Sequence, residues 1–305
     1  MKKLLVTGLN GFVGQTICQA LSKRSHPDLV LASPECEFDV TDAKEVLGVI
    51  EHSKPDYVIH LAAQSFVPES FSNPKTTYDV NFFGTLRLLE ALKSAKFSGR
   101  LLFIGSAQVY GLVDASDMPI KETYPLKPRN PYAVSKLAGE ALCYQWSQTE
   151  KIDIVMARPF NHIGPGQSER FVVSDFAKQI AEIKHGKKEP VIRVGDLEVT
   201  RDFADVRDVV NAYFLLLGHG LNGEVYNVCS GVEYTIREVL DQLQHIGGVR
   251  LQVNHEGNRS RPSEQRRFFG DFSKLNRCTG WKPEIAFDKS LTDVLNYWER
   301  KLGDD

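Results

Sequence analysis

The chain has 305 residues, 42% hydrophobic and 25% charged, a composition that describes a globule able to bury a sizeable core in one large or two packed domains. A net charge of −2 argues against a nucleic-acid-binding surface, and no apolar stretch approaches membrane-spanning length. Five cysteines (Cys18, Cys36, Cys143, Cys229 and Cys278) lie far apart with neither a CxxC nor a metal-ligand spacing, so reduced thiols and no metal are expected.

The opening MKKLLVTGLNG has a basic start, but its apolar run stops after Leu4-Leu5-Val6, far short of a signal peptide. A cytoplasmic protein is expected. The first half then alternates β-branched apolar runs with helical periodicity, the pattern of a parallel sheet covered on both faces. Residues 2–8 read as a buried strand, 11–24 as the helix leaving it, 28–33 as a second strand and 43–53 as a helix. Residues 56–63 read as a third strand, 80–95 as a long amphipathic helix and 99–106 as a fourth strand. A helix around Tyr132–Thr149 feeds a strand at 153–160. Beyond Asn161 the elements shorten and arginines increase: a helix at 172–186, a strand at 191–195 and a helix at 206–218. A strand at 224–231 follows, then a helix at 236–246, the basic loop NRSRPSEQRR at 258–267 and a closing helix at 290–302. The expected fold is α/β: a Rossmann-type doubly wound parallel sheet over residues 1–160, with a smaller C-terminal α/β substrate domain over 161–305. Segments around 203–230 are expected to return to the Rossmann sheet.

Between the first strand and its helix stands Gly8-Leu9-Asn10-Gly11-Phe12-Val13-Gly14, the spacing and context of a dinucleotide loop. Gly8 permits the tight turn, Gly11 the approach of backbone to a pyrophosphate, and Gly14 the close packing of helix on strand. The helix N-terminus offers free N–H groups and a favourable dipole to phosphate. The second strand ends in Ala32-Ser33-Pro34 with Glu35 just beyond, and Lys23 and Arg24 close the preceding helix, so NADPH and NADH both remain open. Asp39, followed by Val40, is read as an acceptor for the adenine amino group; its competing role is to cap the next helix, which Thr41 or Asp42 could fill instead.

In NPYAVSKLAGE, Tyr132 precedes Lys136 by four residues, which puts both side chains on one helix face. A nearby ammonium favours the phenolate and is expected to lower the tyrosine pKa, making Tyr132 a general acid or base. Alone the pair is a weak signal; behind a dinucleotide loop it is a strong one.

Taken in order, GLNGFVG, FDVTD, VIHLAA, NFFGT, IGSAQVYG, NPYAVSK, RPFNHIGPGQ, VTRDFADVRD and SRPSEQRR resemble the extended short-chain dehydrogenase/reductases that act on nucleotide-activated sugars, the NAD-dependent epimerase/dehydratase family. The resemblance spans nearly the whole chain. It implies that Ser106 completes a catalytic set with Tyr132 and Lys136, that Leu61, Ala62 and Ala63 line the cofactor through their backbone, and that Asn81 orients groups near the lysine. Capping a loop is the competing role for Ser106, and a buried helix-start asparagine the competing role for Asn81. The implied reaction is NAD(P)H-dependent reduction of the C4 keto group of GDP-4-dehydro-6-deoxy-D-mannose to GDP-D-rhamnose, in activated deoxysugar biosynthesis. Tyr132 would donate the proton and Lys136 would bind the nicotinamide ribose.

Relatives in that family that dehydrate place an acid directly after the catalytic hydroxyl residue, where this chain has Ala107 and Gln108. Those that epimerise at C3 and C5 use a cysteine and a histidine, where this chain has Gln108 and Gly166. A nucleotide-sugar 4-epimerase with tightly held NAD stays open, as does reduction to the 6-deoxytalose epimer. For the diphosphate, Arg193, Arg201 and Arg261 are the candidates, because a guanidinium fork suits it. Gln108, Asn161 and His162 are placed beside the sugar nucleotide, and Glu264 beside its ribose or guanine, although a salt bridge to Arg266 or Arg267 competes for that carboxylate. By the same resemblance the helices near Asn81–Ala95 and Tyr132–Thr149 would form a homodimer contact.

Overall fold

The computed structural model describes residues 1–23, 28–32, 38–256 and 265–303. Its centre is a six-stranded parallel sheet in the order β2-β1-β3-β4-β5-β9. The strands are β1 (Lys2–Thr7), β2 (Leu29–Leu31), β3 (Tyr57–His60), β4 (Arg100–Ile104), β5 (Asp153–Pro159) and β9 (Val225–Val228). Along these strands consecutive side chains point to opposite faces, and both faces are buried. Leu4, Ile59, Leu102 and Val155 pack under α1 (Phe12–Ser22) and α8 (Val206–His219). Their neighbours Leu5, Val58, Leu101 and Ile154 pack under α2 (Ala43–Ser53), α5 (Gly84–Ser94) and α6 (Pro131–Thr149). Two-sided burial is why the strands read as continuous apolar runs rather than as alternating ones.

The long helix expected over 80–95 is present, but its first turn is π-helical. The short helices α3 (Val67–Ser72) and α4 (Pro74–Tyr78) lead into a π-helical turn at Asp79–Phe83, and α5 begins only at Gly84. A Cβ on Gly84 would come within 3.0 Å of the Val40 side chain, so the start of α5 fits tightly against the segment before α2.

After β5 the chain leaves the main sheet. β6 (Asn161–Ile163), β8 (Thr200–Asp205) and β10 (Glu233–Thr235) form a three-stranded sheet in the order β10-β8-β6. β7 (Val191–Val194) and β11 (Gln252–His255) pair in parallel. Around them α7 (Val172–Lys184), α9 (Ile236–Gly247) and α11 (Phe287–Gly303) enclose a separate core containing Phe176, Ile192, Leu240 and Trp298. Thr235 and Glu238 start α9 with a reciprocal capping box. Between these elements the chain returns: α8 covers the main sheet and β9 pairs with β5, register Met156↔Val225 to Pro159↔Val228. α10 (Ser273–Thr279) packs against the same face through Leu275.

One buried ion pair fixes α6 to the sheet. Arg158 on β5 donates from Nε and Nη2 to Glu140, at 2.9 and 2.6 Å, and from Nη1 to the Tyr110 hydroxyl and the Glu122 carbonyl, at 2.9 and 3.1 Å. Its side chain is 4% exposed and that of Glu140 10%. A pair so deeply desolvated is stable only because most of its donors and acceptors are engaged. Arg158→Met leaves Glu140 charged and unpaired; we expect it to lower unfolding free energy by about 3–5 kcal/mol in urea titrations.

Candidate active site

In an open parallel sheet the ligand crevice opens at the carboxyl ends of the strands, where chain order reverses. Here that point lies between β1, which is followed by β2 on one side, and β3, which sits on the other. Gly8 follows β1, and Leu61, Ala62 and Ala63 follow β3. Gly8 has φ +72°, and a Cβ there would lie 2.9 Å from the Ala62 backbone, so both conformation and clearance require glycine. A Cβ on Gly14 would lie 2.2 Å from the Leu9 carbonyl oxygen, which keeps the start of α1 pressed against the loop. Gly11 stands at the N-cap of α1 and brings no capping side chain, so no side chain of its own takes up the N–H groups of the first turn. Such a cradle fits the pyrophosphate of a dinucleotide. Phe12 stacks on His162 with ring centroids 6.0 Å apart and planes 3° from parallel, joining the start of α1 to β6.

Asp39 is not the cap of α2. Asp42 is, accepting from the Lys44 and Glu45 N–H groups at 2.8 and 3.2 Å. The Asp39 carboxylate accepts from the Thr41 N–H at 2.8 Å, the main reason its pKa falls below the usual value. Val40 beside it is buried against Gly84. Glu35, Ser33, Pro34 and Arg24, which bear on the choice of dinucleotide, lie outside the described residues.

Ser106 follows β4 and caps the 3₁₀ turn Ala107–Tyr110, its Oγ accepting from the Gln108 N–H at 3.2 Å. The capping role is compatible with a place in the candidate site: with that lone pair engaged its hydroxyl proton is directed elsewhere, and Ser106 lies near enough to Tyr132 to oppose the upward shift of the phenol. Asn130 caps α6 by accepting from the Ala133 N–H at 2.7 Å, and Pro131 occupies the first turn, so Tyr132 sits at the very start of the helix. Tyr132 and Lys136 are 9% and 3% exposed and share the buried face of α6.

The electrostatics differ from the sequence expectation. Burial pushes the Tyr132 phenol above its ordinary value, and the Ser106 hydrogen bond opposes this only in part. The Lys136 ammonium donates to the Ile104 carbonyl at 2.7 Å and lies 5.4 Å from the Phe103 ring centre. It is itself depressed to about 8 by desolvation. At neutral pH the tyrosine is therefore a proton donor and the lysine a cation, an arrangement suited to protonating an oxyanion.

Asn81, in the π-helical turn, is 1% exposed. Its Oδ1 accepts from the Gln64 N–H at 2.8 Å, while Nδ2 donates to the Gln64 carbonyl at 3.0 Å and to Ser135 Oγ at 2.9 Å. Ser135 in turn donates to the Tyr132 carbonyl at 2.7 Å. A π-turn places one extra residue per turn, which lets this amide reach both the strand-end loop and α6. Gln64, Ser135 and the Glu140–Arg158 pair carried no role in the sequence reading. The one available signal was Glu140, four residues beyond Lys136 and on the same helix face.

Of the residues placed beside the sugar nucleotide, Gln108 is half-buried next to Ser106 and Asn161 donates to the Asp202 carbonyl at 3.3 Å. His162 Nδ1 donates to the Phe160 carbonyl at 3.0 Å, and burial lowers its pKa, which keeps the ring neutral with Nε2 as the acceptor. Arg201 on β8 folds onto the Thr200 and Gln265 carbonyls at 2.7 and 2.8 Å. Arg193 on β7 is largely exposed and approaches Glu256 at 3.5 Å. Arg261 and Glu264 lie outside the described residues. Asp202, also absent from the sequence reading, is fully buried and accepts from Ser230 Oγ at 2.7 Å and from the N–H groups of Ser230, Gly231 and Gly270 at 2.8, 3.0 and 3.3 Å. Desolvation raises its pKa to about 6. Among the described residues no group of three or more His, Cys, Asp or Glu could hold a metal, and no helix is long and apolar enough to cross a membrane.

The doubly wound sheet, the glycine loop at its switch point and the tyrosine and lysine on one helix face define an extended short-chain dehydrogenase/reductase. More particularly, residues 5–294 match the family described as GDP-mannose 4,6 dehydratase, and the chain belongs to that family. It is 47% identical over 304 residues to the GDP-6-deoxy-D-mannose reductase of Pseudomonas aeruginosa, covering 100% of this chain and 99% of that one. It is 31% identical over 281 residues to the GDP-6-deoxy-D-talose 4-dehydrogenase of Aggregatibacter actinomycetemcomitans, covering 91% of each. Its structure superposes on that of Pseudomonas aeruginosa RMD complexed with NADPH with a TM-score of 0.94, at 46% identity, over 99% of this chain and 100% of the other. The UDP-glucose 4-epimerase of Thermus thermophilus complexed with NAD superposes with a TM-score of 0.85 at 28% identity, over 97% and 98% of the two chains.

Two outcomes follow from this geometry. Gly14→Val drives a side chain into the Leu9 carbonyl and is expected to abolish NADPH binding, read by quenching of protein fluorescence. Second, the free protein's affinity for NADPH should fall as pH rises through about 8, as Lys136 loses its proton. Stability moves the other way: with the folded-state pKa below its ordinary value of 10.5, the unfolded chain holds the proton more readily, so the lysine's contribution to stability rises between about 8 and 10.5. Lys136→Met should flatten both profiles.

Proposed function

We propose that this chain is an oxidoreductase that reduces the C4 keto group of GDP-4-dehydro-6-deoxy-D-mannose with NADPH or NADH, giving GDP-D-rhamnose. The observation that carries the reading is the 47% identity to a GDP-6-deoxy-D-mannose reductase along the whole chain, supported by Ser106 following β4 and by Tyr132 and Lys136 on one buried face of α6. The loop Gly8–Gly14, the Leu61–Ala63 backbone, Asp39, Val40 and Asn81 hold the cofactor, which when bound supplies the hydride.

The chain's own residues handle the proton. Tyr132, held protonated by burial, donates to the oxygen that gains charge at C4. Ser106 hydrogen-bonds that same oxygen, and fixing the donor beforehand lowers the barrier because no reorganisation is needed as charge develops. Lys136, anchored on the Ile104 carbonyl, binds the nicotinamide ribose as a cation. Arg193, Arg201 and Arg261 take the diphosphate; Gln108, Asn161, His162 and Glu264 take the sugar and nucleoside. Gln108 is an amide and cannot titrate, so family membership brings no acid–base pair for dehydration at this position.

In this reading residues 1–160 with the returning α8 and β9 bind the cofactor, and the rest of 161–305 binds the sugar nucleotide. The protein works in the cytoplasm as a homodimer, for which the exposed Phe83 on the turn before α5, and Val134 and Tyr144 on α6, supply apolar surface. Similarity to the talose enzyme favours one second reading, hydride delivery to the opposite face of C4.

Purified protein given GDP-4-keto-6-deoxy-D-mannose should oxidise NADPH or NADH and yield GDP-D-rhamnose by NMR of the product. GDP-6-deoxy-D-talose would establish the second reading. Absence of turnover with NAD retained on the protein would replace both with a 4-epimerase. Tyr132→Phe is expected to reduce kcat by roughly 10²–10⁴-fold while leaving NADPH binding intact.

A further inference from the structure

The proton-donor machinery does not use His60, yet this buried side chain is engaged through both ring nitrogens. It ends β3 at the switch point, is 1% exposed, and lies between Thr7 and Thr85, each 0% exposed. Its Nδ1 is 2.7 Å from Thr7 Oγ1 and its Nε2 3.0 Å from Thr85 Oγ1.

Hydrogen-bond arithmetic fixes every proton in this chain. Thr85 Oγ1 also lies 2.7 Å from the Asn81 carbonyl, which can only accept, so the single Thr85 hydroxyl proton points there. The Thr85 oxygen is then an acceptor towards His60, and Nε2 must carry the ring proton. A neutral imidazole so protonated is bare at Nδ1, which accepts from the Thr7 hydroxyl. The Thr7 oxygen in turn accepts from the Ala62 N–H at 3.0 Å. A second proton on the ring would require the Thr7 hydroxyl to turn its own proton away from Nδ1, and burial with the Lys136 charge nearby lowers the ring pKa to about 3.

The two ends of this chain lie on different parts of the site. Ala62 belongs to the backbone that faces the glycine loop, where Gly8 leaves no room for adjustment. Asn81 continues through its side-chain amide to Gln64 and Ser135, and Ser135 donates to the carbonyl of Tyr132. We propose that His60, as the neutral tautomer protonated on Nε2, is a positioning residue that holds the cofactor-facing loop and the helix of Tyr132 in a single register. It touches neither substrate nor cofactor. The inference rests on the reductase reading for its effect on turnover, and on geometry alone for its effect on binding.

The two amide replacements separate the ends. His60→Asn keeps an acceptor where Nδ1 stands and so satisfies Thr7, but leaves Thr85 without its donor. His60→Gln keeps a donor where Nε2 stands and so satisfies Thr85, but leaves Thr7 without its acceptor. Losing one buried hydrogen bond is worth about a ten-fold effect. Expected for His60→Asn is kcat lower by about ten-fold with NADPH affinity near that of the wild type; for His60→Gln, NADPH affinity weaker by about ten-fold.

In the full-length wild-type protein, ¹⁵N NMR of the histidine rings should show His60 with a bare Nδ1 and a protonated Nε2 that do not titrate between about pH 6 and 8. Equal losses of affinity and turnover in both variants, no change in either, or the opposite tautomer would overturn the proposal. Should a variant fail to fold, the wild-type tautomer decides. If wild-type protein binds NADPH but does not reduce the GDP-keto sugar, the reductase reading fails, while the tautomer and the affinity of the Gln variant still test His60.

Discussion

The buried pairing of Glu140 with Arg158 is the interaction on which the rest of the site depends. A carboxylate and a guanidinium removed from water destabilise a fold unless their hydrogen-bonding capacity is met. Here Arg158 divides its donors among Glu140, the Tyr110 hydroxyl and the Glu122 carbonyl, and Tyr110 passes its own proton to Asn227 at 2.7 Å. Five pieces of chain are thereby tied at one point: α6, β5, the 3₁₀ turn after Ser106, the segment of Glu122 and β9. Because Glu140 lies two turns beyond Tyr132 on the same helix face, fixing it fixes where the phenol emerges relative to Ser106. Burial that makes the pair costly is the same burial that keeps Tyr132 protonated and Lys136 easily deprotonated.

Much of this was legible in the sequence, for reasons that can be named. The sheet was legible because parallel strands buried on both faces are runs of β-branched and aliphatic residues, and Leu4-Leu5, Val58-Ile59 and Leu101-Leu102 each supply one residue to either face. The glycine loop was legible because its steric demands admit only one residue at Gly8 and Gly14. Tyr132 and Lys136 were legible because a spacing of four is one helical turn.

What escaped was whatever depends on contacts between distant segments. The π-helical turn at Asp79–Phe83 has no sequence signature of its own, and a continuous amphipathic pattern ran straight through it. The direction of the Tyr132 shift does not follow from spacing, because an ammonium four residues away can point elsewhere; it bonds to the Ile104 carbonyl, and desolvation then dominates. Asp202 looked like one acid among many, since nothing in its neighbours announces that three backbone N–H groups and a serine hydroxyl converge on it. For Ser106, capping the 3₁₀ turn and standing beside Tyr132 read as alternatives in the sequence, yet one side chain does both.

The late return of β9 to the main sheet has a consequence for how the molecule is made. β5 is complete at Pro159, but the strand that pairs with its far edge begins at Val225, and α8, which covers Val155 and Ala157, begins at Val206. A chain emerging from the ribosome thus presents an unpaired strand edge and a bare apolar face until more than sixty further residues have followed. Closure of that edge is a long-range contact whose loop must be ordered before it is rewarded, which makes it a slow step. β6, α7, β7 and β8, which lie between β5 and α8 in the chain, are therefore synthesised before the main sheet can be sealed.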